Sequence, residues 1–160
     1  MTKEIEAVAA VIEQDGKFLI TKRLKESHLG HCWEFPGGKR ENGETVEECA
    51  VRECQEEIGV VIEPVRYLKA VRYEYPDVKV FLHFVLCRLV SGDPQPIECA
   101  DPTWIRPEEF AKYEFPAADR QVIEELIIRM GGEGRAPGRA ERVSTAGRNP
   151  RQDPSEGTGG

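Results

Sequence analysis

Residues 5–12 read Ile-Glu-Ala-Val-Ala-Ala-Val-Ile, with one charged interruption. A short apolar run of this kind, followed by turn residues, predicts a β-strand. Gln14-Asp15-Gly16-Lys17 supplies the turn, with Gly where a positive φ is convenient. Residues 17–24 set Phe18 and Ile20 against Lys17 and Thr21, which predicts the hairpin partner. Residues 25–32 read as a polar loop, and Trp33-Glu34-Phe35 as a short strand stopped by Pro36-Gly37-Gly38. From 45 to 58 the period changes. Val51, Cys54 and Ile58 recur at helical spacing, and Gly59 fits the left-handed C-terminal position. Two long strands, 60–75 and 78–89, flank a Pro76-Asp77 turn. A Pro/Gly-rich loop over 91–102 leads to a short strand at Trp104-Ile105. A helical turn at 107–111 and a helix over 116–130 follow, the helix turning Val122, Ile123, Leu126 and Ile127 inward. The order ββ-β-α-ββ-β-α predicts an α/β (α+β) fold: one mixed β-sheet flanked by helices, not a doubly wound parallel sheet.

Composition divides the chain. Residues 131–160 hold 8 of the 15 glycines and one large aliphatic, Val143. Such a segment cannot bury enough apolar surface to offset its ordering entropy, so a disordered Gly/Arg/Pro-rich tail is expected beyond a folded domain at 1–130. The formal net charge is −7. That acidity speaks against a protein that holds nucleic acid by bulk positive charge, and no stable nucleic-acid complex is expected. No apolar run approaches the roughly 18 residues of a membrane span, so no membrane partner is expected. Five cysteines without a Cys-x-x-Cys, and no secretory leader, point to reduced thiols in a cytoplasmic protein, a monomer or homodimer.

The helix over 45–58 carries an unusual charge pattern. Glu53, Glu56 and Glu57 fall within roughly 100° of one another at i, i+3 and i+4. Like charges repel there, and anions are disfavoured near a helix C-terminus. A helix chosen for stability alone avoids this arrangement. A hard cation such as Mg²⁺ or Mn²⁺ favours it, because it wants carboxylate oxygens and water. Gly37-Gly38 lets the backbone bend and point a carbonyl into the same space. Arg52 can fix a neighbouring carboxylate by a bidentate pair, and Glu44 sits just before the helix, where Thr45 can cap it.

Gly38, Glu44, Arg52, Glu53, Glu56, Glu57, Gly59 and Val60 stand at the spacing of the Nudix box, and residues 38–60 resemble it at every fixed position. The one departure is Cys54, a small buried hydrophobe where a bulky aliphatic is usual. Leu19 to Arg23, His28, Trp33 to Lys39, Tyr73 to Asp77 and Phe115 to Asp119 resemble MutT-type nucleotide pyrophosphohydrolases, so the similarity spans about 4–130.

The resemblance implies a Nudix-type α/β/α sandwich and a nucleotide substrate. For MutT-type members it implies hydrolysis of (deoxy)nucleoside triphosphates, oxidised ones such as 8-oxo-dGTP included, to monophosphate and pyrophosphate. By the same resemblance the Gly37 carbonyl, Glu53, Glu56 and Glu57 hold Mg²⁺ (or Mn²⁺). Glu98 adds a further ligand or acts as the base, Arg52 orients Glu53, and Glu44 braces the loop. The general base stays open between Glu53 and Glu98. Arg23 and His28 approach the nucleotide, Glu34, Phe35, Pro36 and Gly37 line the cleft, and Asp119 reads the base. Two positions depart from the MutT pattern: Asp119 replaces an Asn, and Val78 replaces a basic residue. An ionised Asp only accepts hydrogen bonds, which suits an exocyclic amino group. CTP or 5-methyl-dCTP is therefore a rival substrate. ADP-ribose and a catalytically silent nucleotide-binding module complete the alternatives.

Overall fold

The computed structural model describes residues 3–26 and 29–134. His28 and most of the expected tail, 135–160, lie outside the described residues. The strands are β1 (Glu4–Gln14), β2 (Lys17–Lys22), β3 (Trp33–Glu34), β4 (Gly37–Lys39), β5 (Val61–Glu74), β6 (Lys79–Ser91) and β7 (Ala100–Ile105). The helices are α1 (Val46–Ile58) and α2 (Ala117–Gly134), and a 3₁₀ turn covers Pro107–Lys112. Among the described residues the strands form one sheet in the order β3-β2-β1-β6-β5, with β4 also paired to β1 and β7 to β2. The β1–β6 pair is parallel and the others are antiparallel, so the sheet is mixed.

Strand β1 explains the apolar run at the start of the chain. Successive side chains point to opposite faces of a strand. Ala9 and Val11 join a core under α2 with Phe18, Phe84 and Leu126. Val8, Ala10 and Ile12 join a second core under α1 with Cys54, Ile58 and Val85. A central strand covered on both faces tolerates little polarity. The β1–β2 turn has Asp15 and Gly16 both at positive φ, the signature of a twist-compatible two-residue hairpin.

Three expected boundaries change. Gly37 and Gly38, expected with Pro36 to stop a strand, instead begin β4 (Gly37–Lys39), which pairs with Ala7–Ala9 of β1. The last strand starts at Ala100 rather than Trp104, inside the segment expected to be loop. Helix α2 runs to Gly134, past the expected end of the folded part at 130.

Candidate active site

Helix α1 is fixed at both ends. Thr45 Oγ1 accepts from Glu48 N at 3.0 Å, and Glu48 Oε1 accepts from Thr45 N at 2.9 Å, a complete capping box. Gly59 closes the other end at φ 70°. The loop before β7 wraps that end: Gln95 N donates to Ile58 O at 2.9 Å, and Glu98 N donates to Glu57 O at 3.0 Å. These bonds satisfy carbonyls a helix terminus leaves free, and they bring Glu98 beside the acids of α1.

Arg52 is the hub of that acidic face. Its Nε and NH2 reach both carboxylate oxygens of Glu44 at 2.5 and 3.0 Å. Its NH1 reaches Glu53 at 2.9 Å and Glu56 at 3.1 Å, and NH2 also donates to Lys39 O at 3.1 Å. The Arg52 bond holds the Glu44 carboxyl down at about 2. Burial pushes Glu53 up despite Arg52, helped by Glu56 and Glu98. Glu57 is 5% exposed and is pushed up to about 8, first by burial and then by Glu34, while its bond from Gly37 N at 2.9 Å opposes the shift. A group of carboxylates that raise one another's pKa in a cleft marks a functional site.

The two glycines make room for this packing. A Cβ on Gly37 would overlap the Val8 carbonyl across the β1–β4 pair, and one on Gly38 would overlap the Glu53 carboxyl group. Strand β4 therefore approaches β1 this closely only with glycine at 37, and glycine at 38 leaves the Glu53 carboxyl group its present position.

A cavity of about 590 Å³ opens beside β4. Arg23, Glu34, Phe35, Gly37, Lys39, Glu98 and Asp119 all line it. Ala7 and Ala9 are small side chains of β1 that also face it. Arg23 NH1 donates to Glu34 Oε1 at 2.5 Å. Asp119, 5% exposed at the start of α2, is pushed up to about 8 by burial and by Glu34, with Arg23 opposing. At neutral pH it therefore carries a proton and offers a donor as well as an acceptor. Tyr75, between β5 and β6, lines the cavity and accepts at its hydroxyl from Ala118 N at 3.1 Å.

The expected residues thus fall into groups. Glu44, Arg52, Glu53, Glu56, Glu57, Gly37 and Glu98 meet where α1 faces β4 and the loop before β7. Arg23, Glu34, Gly37, Glu98 and Asp119 meet around the cavity. Phe35 belongs mainly to the core, against Phe84, Phe110 and Phe115. Pro36 is buried, does not line the cavity, and accepts from Ala10 N at 2.7 Å. Sequence reasoning missed Tyr75 and the Ala7/Ala9 floor. The signal present was small residues alternating in an otherwise bulky strand.

The oxygen donors of Glu53, Glu56, Glu57, Glu98 and the Gly37 backbone match what a hard divalent cation takes. Their side chains are nevertheless drawn apart: Glu53 and Glu56 lean on Arg52, and Glu57 turns to Gly37 N. Among the described residues, the three ligating atoms found within 4.8 Å of one another belong to His31, Cys32 and Glu114, not to the acids of α1.

Residues 7–125 match the family model described as NUDIX domain. The chain is 34% identical over 120 residues to a protein of Escherichia coli (strain K12) named 8-oxo-dGTP diphosphatase, covering 75% of this chain and 93% of that one. It is 35% identical over 125 residues to the CTP pyrophosphohydrolase of the same organism, covering 78% and 93%. A MutT NUDIX hydrolase from Burkholderia pseudomallei superposes with a TM-score of 0.70 at 27% identity, covering 76% of this chain and 97% of that one.

Proposed function

The chain belongs to the NUDIX domain family of hydrolases, and from that premise we propose that it hydrolyses (deoxy)nucleoside triphosphates to monophosphate and pyrophosphate. The observation that carries the reading is the meeting of Glu53, Glu57 and Glu98 beside a 590 Å³ cavity that Glu98 lines together with Asp119, Glu34 and Arg23. The acids suit a phosphate chain with its cation, and the cavity beside Asp119 suits a base.

Glu53, Glu56, Glu57, Glu98 and the Gly37 carbonyl would hold Mg²⁺ or Mn²⁺, which when bound neutralises charge on the phosphate oxygens. Each protein group then has a definable task. Arg52 fixes the Glu53 carboxylate through NH1 while its other nitrogens hold Glu44. Glu57 is kept in place by Gly37 N. Glu53 or Glu98 takes the proton of the attacking water, as both acids sit beside Glu57 in the same cleft. Arg23 holds Glu34, and Asp119 faces the base.

The protonation of Asp119 bears on the base. A neutral carboxyl presents a hydroxyl donor and a carbonyl acceptor, the pair an Asn amide would present. That pair complements the O6 acceptor and N7–H donor of 8-oxoguanine, so 8-oxo-dGTP heads our expected substrates. Ionised Asp119 would instead accept from an exocyclic amino group, which keeps CTP and 5-methyl-dCTP as the second reading. The relatives named 8-oxo-dGTP diphosphatase and CTP pyrophosphohydrolase are similarly close in identity. Comparison of kcat/KM for 8-oxo-dGTP, dGTP, CTP, 5-methyl-dCTP and ADP-ribose at neutral pH tests the assignment. We expect 8-oxo-dGTP to exceed dGTP by at least about tenfold, the discrimination one buried polar contact supplies. Preference for CTP installs the second reading, and turnover of ADP-ribose alone overturns both.

A further inference from the structure

His31, Cys32 and Glu114 bring their ligand atoms within 4.8 Å of one another, away from the acids of α1. His31 and Cys32 precede β3, and Glu114 lies between the 3₁₀ turn and α2. The two segments are already fastened to each other. Trp33 N donates to Glu114 O at 2.7 Å, and the Trp33 ring meets Tyr113 edge-on at 4.9 Å. Cys32 is held in its loop on both sides, donating from N to Leu29 O at 2.9 Å and accepting at O from Arg23 N at 3.0 Å. The ligands therefore need little backbone ordering to meet an ion.

The donor types suit zinc, and so does the one spacing between the two exposed ligands. His31 Nε2 stands 3.4 Å from Glu114 Oε2. That is longer than the usual N–H···O range of about 2.7–3.2 Å. It is close to the roughly 3.3 Å edge of a tetrahedron with metal bonds of about 2.0 Å. Cys32 is 2% exposed, whereas His31 and Glu114 are exposed, so the thiol underlies an imidazole and carboxylate at the rim. Nitrogen, sulfur and oxygen together are not a set that hard Mg²⁺ selects, but borderline-soft Zn²⁺ does.

We propose that His31, Cys32 and Glu114 form a second metal site, for zinc or a similar borderline-soft divalent cation, separate from the acids of α1. Three protein ligands leave the fourth position to water. On binding, the Cys32 S–H bond is replaced by a sulfur–metal bond and the proton leaves to solvent. The ion would staple two walls of the cavity: the loop carrying Leu29, and the segment leading into Pro116, Ala118 and Asp119. Zinc at this site would thus order the cavity beside Asp119 without touching the acids of α1.

Co²⁺ titration in excess Mg²⁺ tests this, because Mg²⁺ competes for oxygen sites and only thiolate ligation gives a near-ultraviolet sulfur-to-cobalt band. The expected result is one equivalent of that band, displaced by stoichiometric Zn²⁺. Cys32→Ser should abolish it. His31→Ala, on the surface, should weaken cobalt binding on the order of tenfold or more. Glu56→Gln, on α1, should leave the band intact. A missing band in the wild type, or a band that survives Cys32→Ser and ignores His31→Ala, overturns the proposal. Neither outcome bears on the proposed nucleotide hydrolysis, whose residues do not include His31, Cys32 or Glu114.

Discussion

Glu57 and Asp119 are two buried carboxyls, each pushed up to about 8 by burial and by Glu34, and Asp119 lines the cavity whereas Glu57 does not. Their surroundings set different fates. Glu57 faces Glu34, Glu53 and Glu98, so any cation drawn to that group favours its ionised form. Asp119 faces Glu34 and the cation Arg23, which is already paired with Glu34, and it stays protonated at neutral pH. The folded protein therefore binds a proton at Asp119 that the unfolded chain, at about 3.8, has released. Its contribution to stability is fully present below about 4 and is lost as pH rises through about 8. Asp119→Asn should flatten that decline, which thermal unfolding at a series of pH values reads directly. The same variant should keep 8-oxo-dGTP turnover where wild-type turnover falls above about pH 8, since the amide keeps its donor. A parallel loss in both proteins would remove Asp119 from base recognition.

At the scale of elements, α1 separates stability from chemistry. Thr45→Ala removes the capping bond to Glu48 N and should cost about 1 kcal/mol, read as a lower denaturant midpoint with kcat unchanged. Gly38→Ala pushes a methyl group into the Glu53 carboxyl and should lower kcat about 10- to 100-fold, the range for displaced ligand supports. The hairpin, α1 and the long β5–β6 pair were legible because their periods, turn residues and caps are local. Strand β4 was not: two adjacent glycines carry no strand preference, and pairing with Ala7–Ala9 supplies it. The start of β7 was hidden by Asp101 and Pro102, and Asp101 sits at φ 50° within it. The acids of α1 were legible as a cluster from helical spacing. The contact of Glu98 with them depends on backbone bonds from a loop to a helix end, which no periodicity reports. The meeting of His31, Cys32 and Glu114 is equally non-local.

The molecule as a whole carries two cores on one sheet, both built from residues between Val8 and Leu126. We therefore expect a chain ending at Gly134 to keep its melting temperature and kcat/KM within about twofold, despite the loss of residues 135–160. Of the described helices, none is long and apolar enough to cross a membrane. The net charge of −7 hides a sharper division, with −8 on residues 1–130 and +1 beyond. Part of that negative charge lies where a polyphosphate would enter, so binding should depend strongly on a divalent cation. The most direct test of the account is product analysis by ³¹P NMR with 8-oxo-dGTP, comparing wild type with Glu53→Gln in Mg²⁺. The account predicts monophosphate and pyrophosphate from the wild type, and a rate lower by about 10²–10³ in Glu53→Gln. Release of orthophosphate, or equal rates in the two proteins, would contradict it.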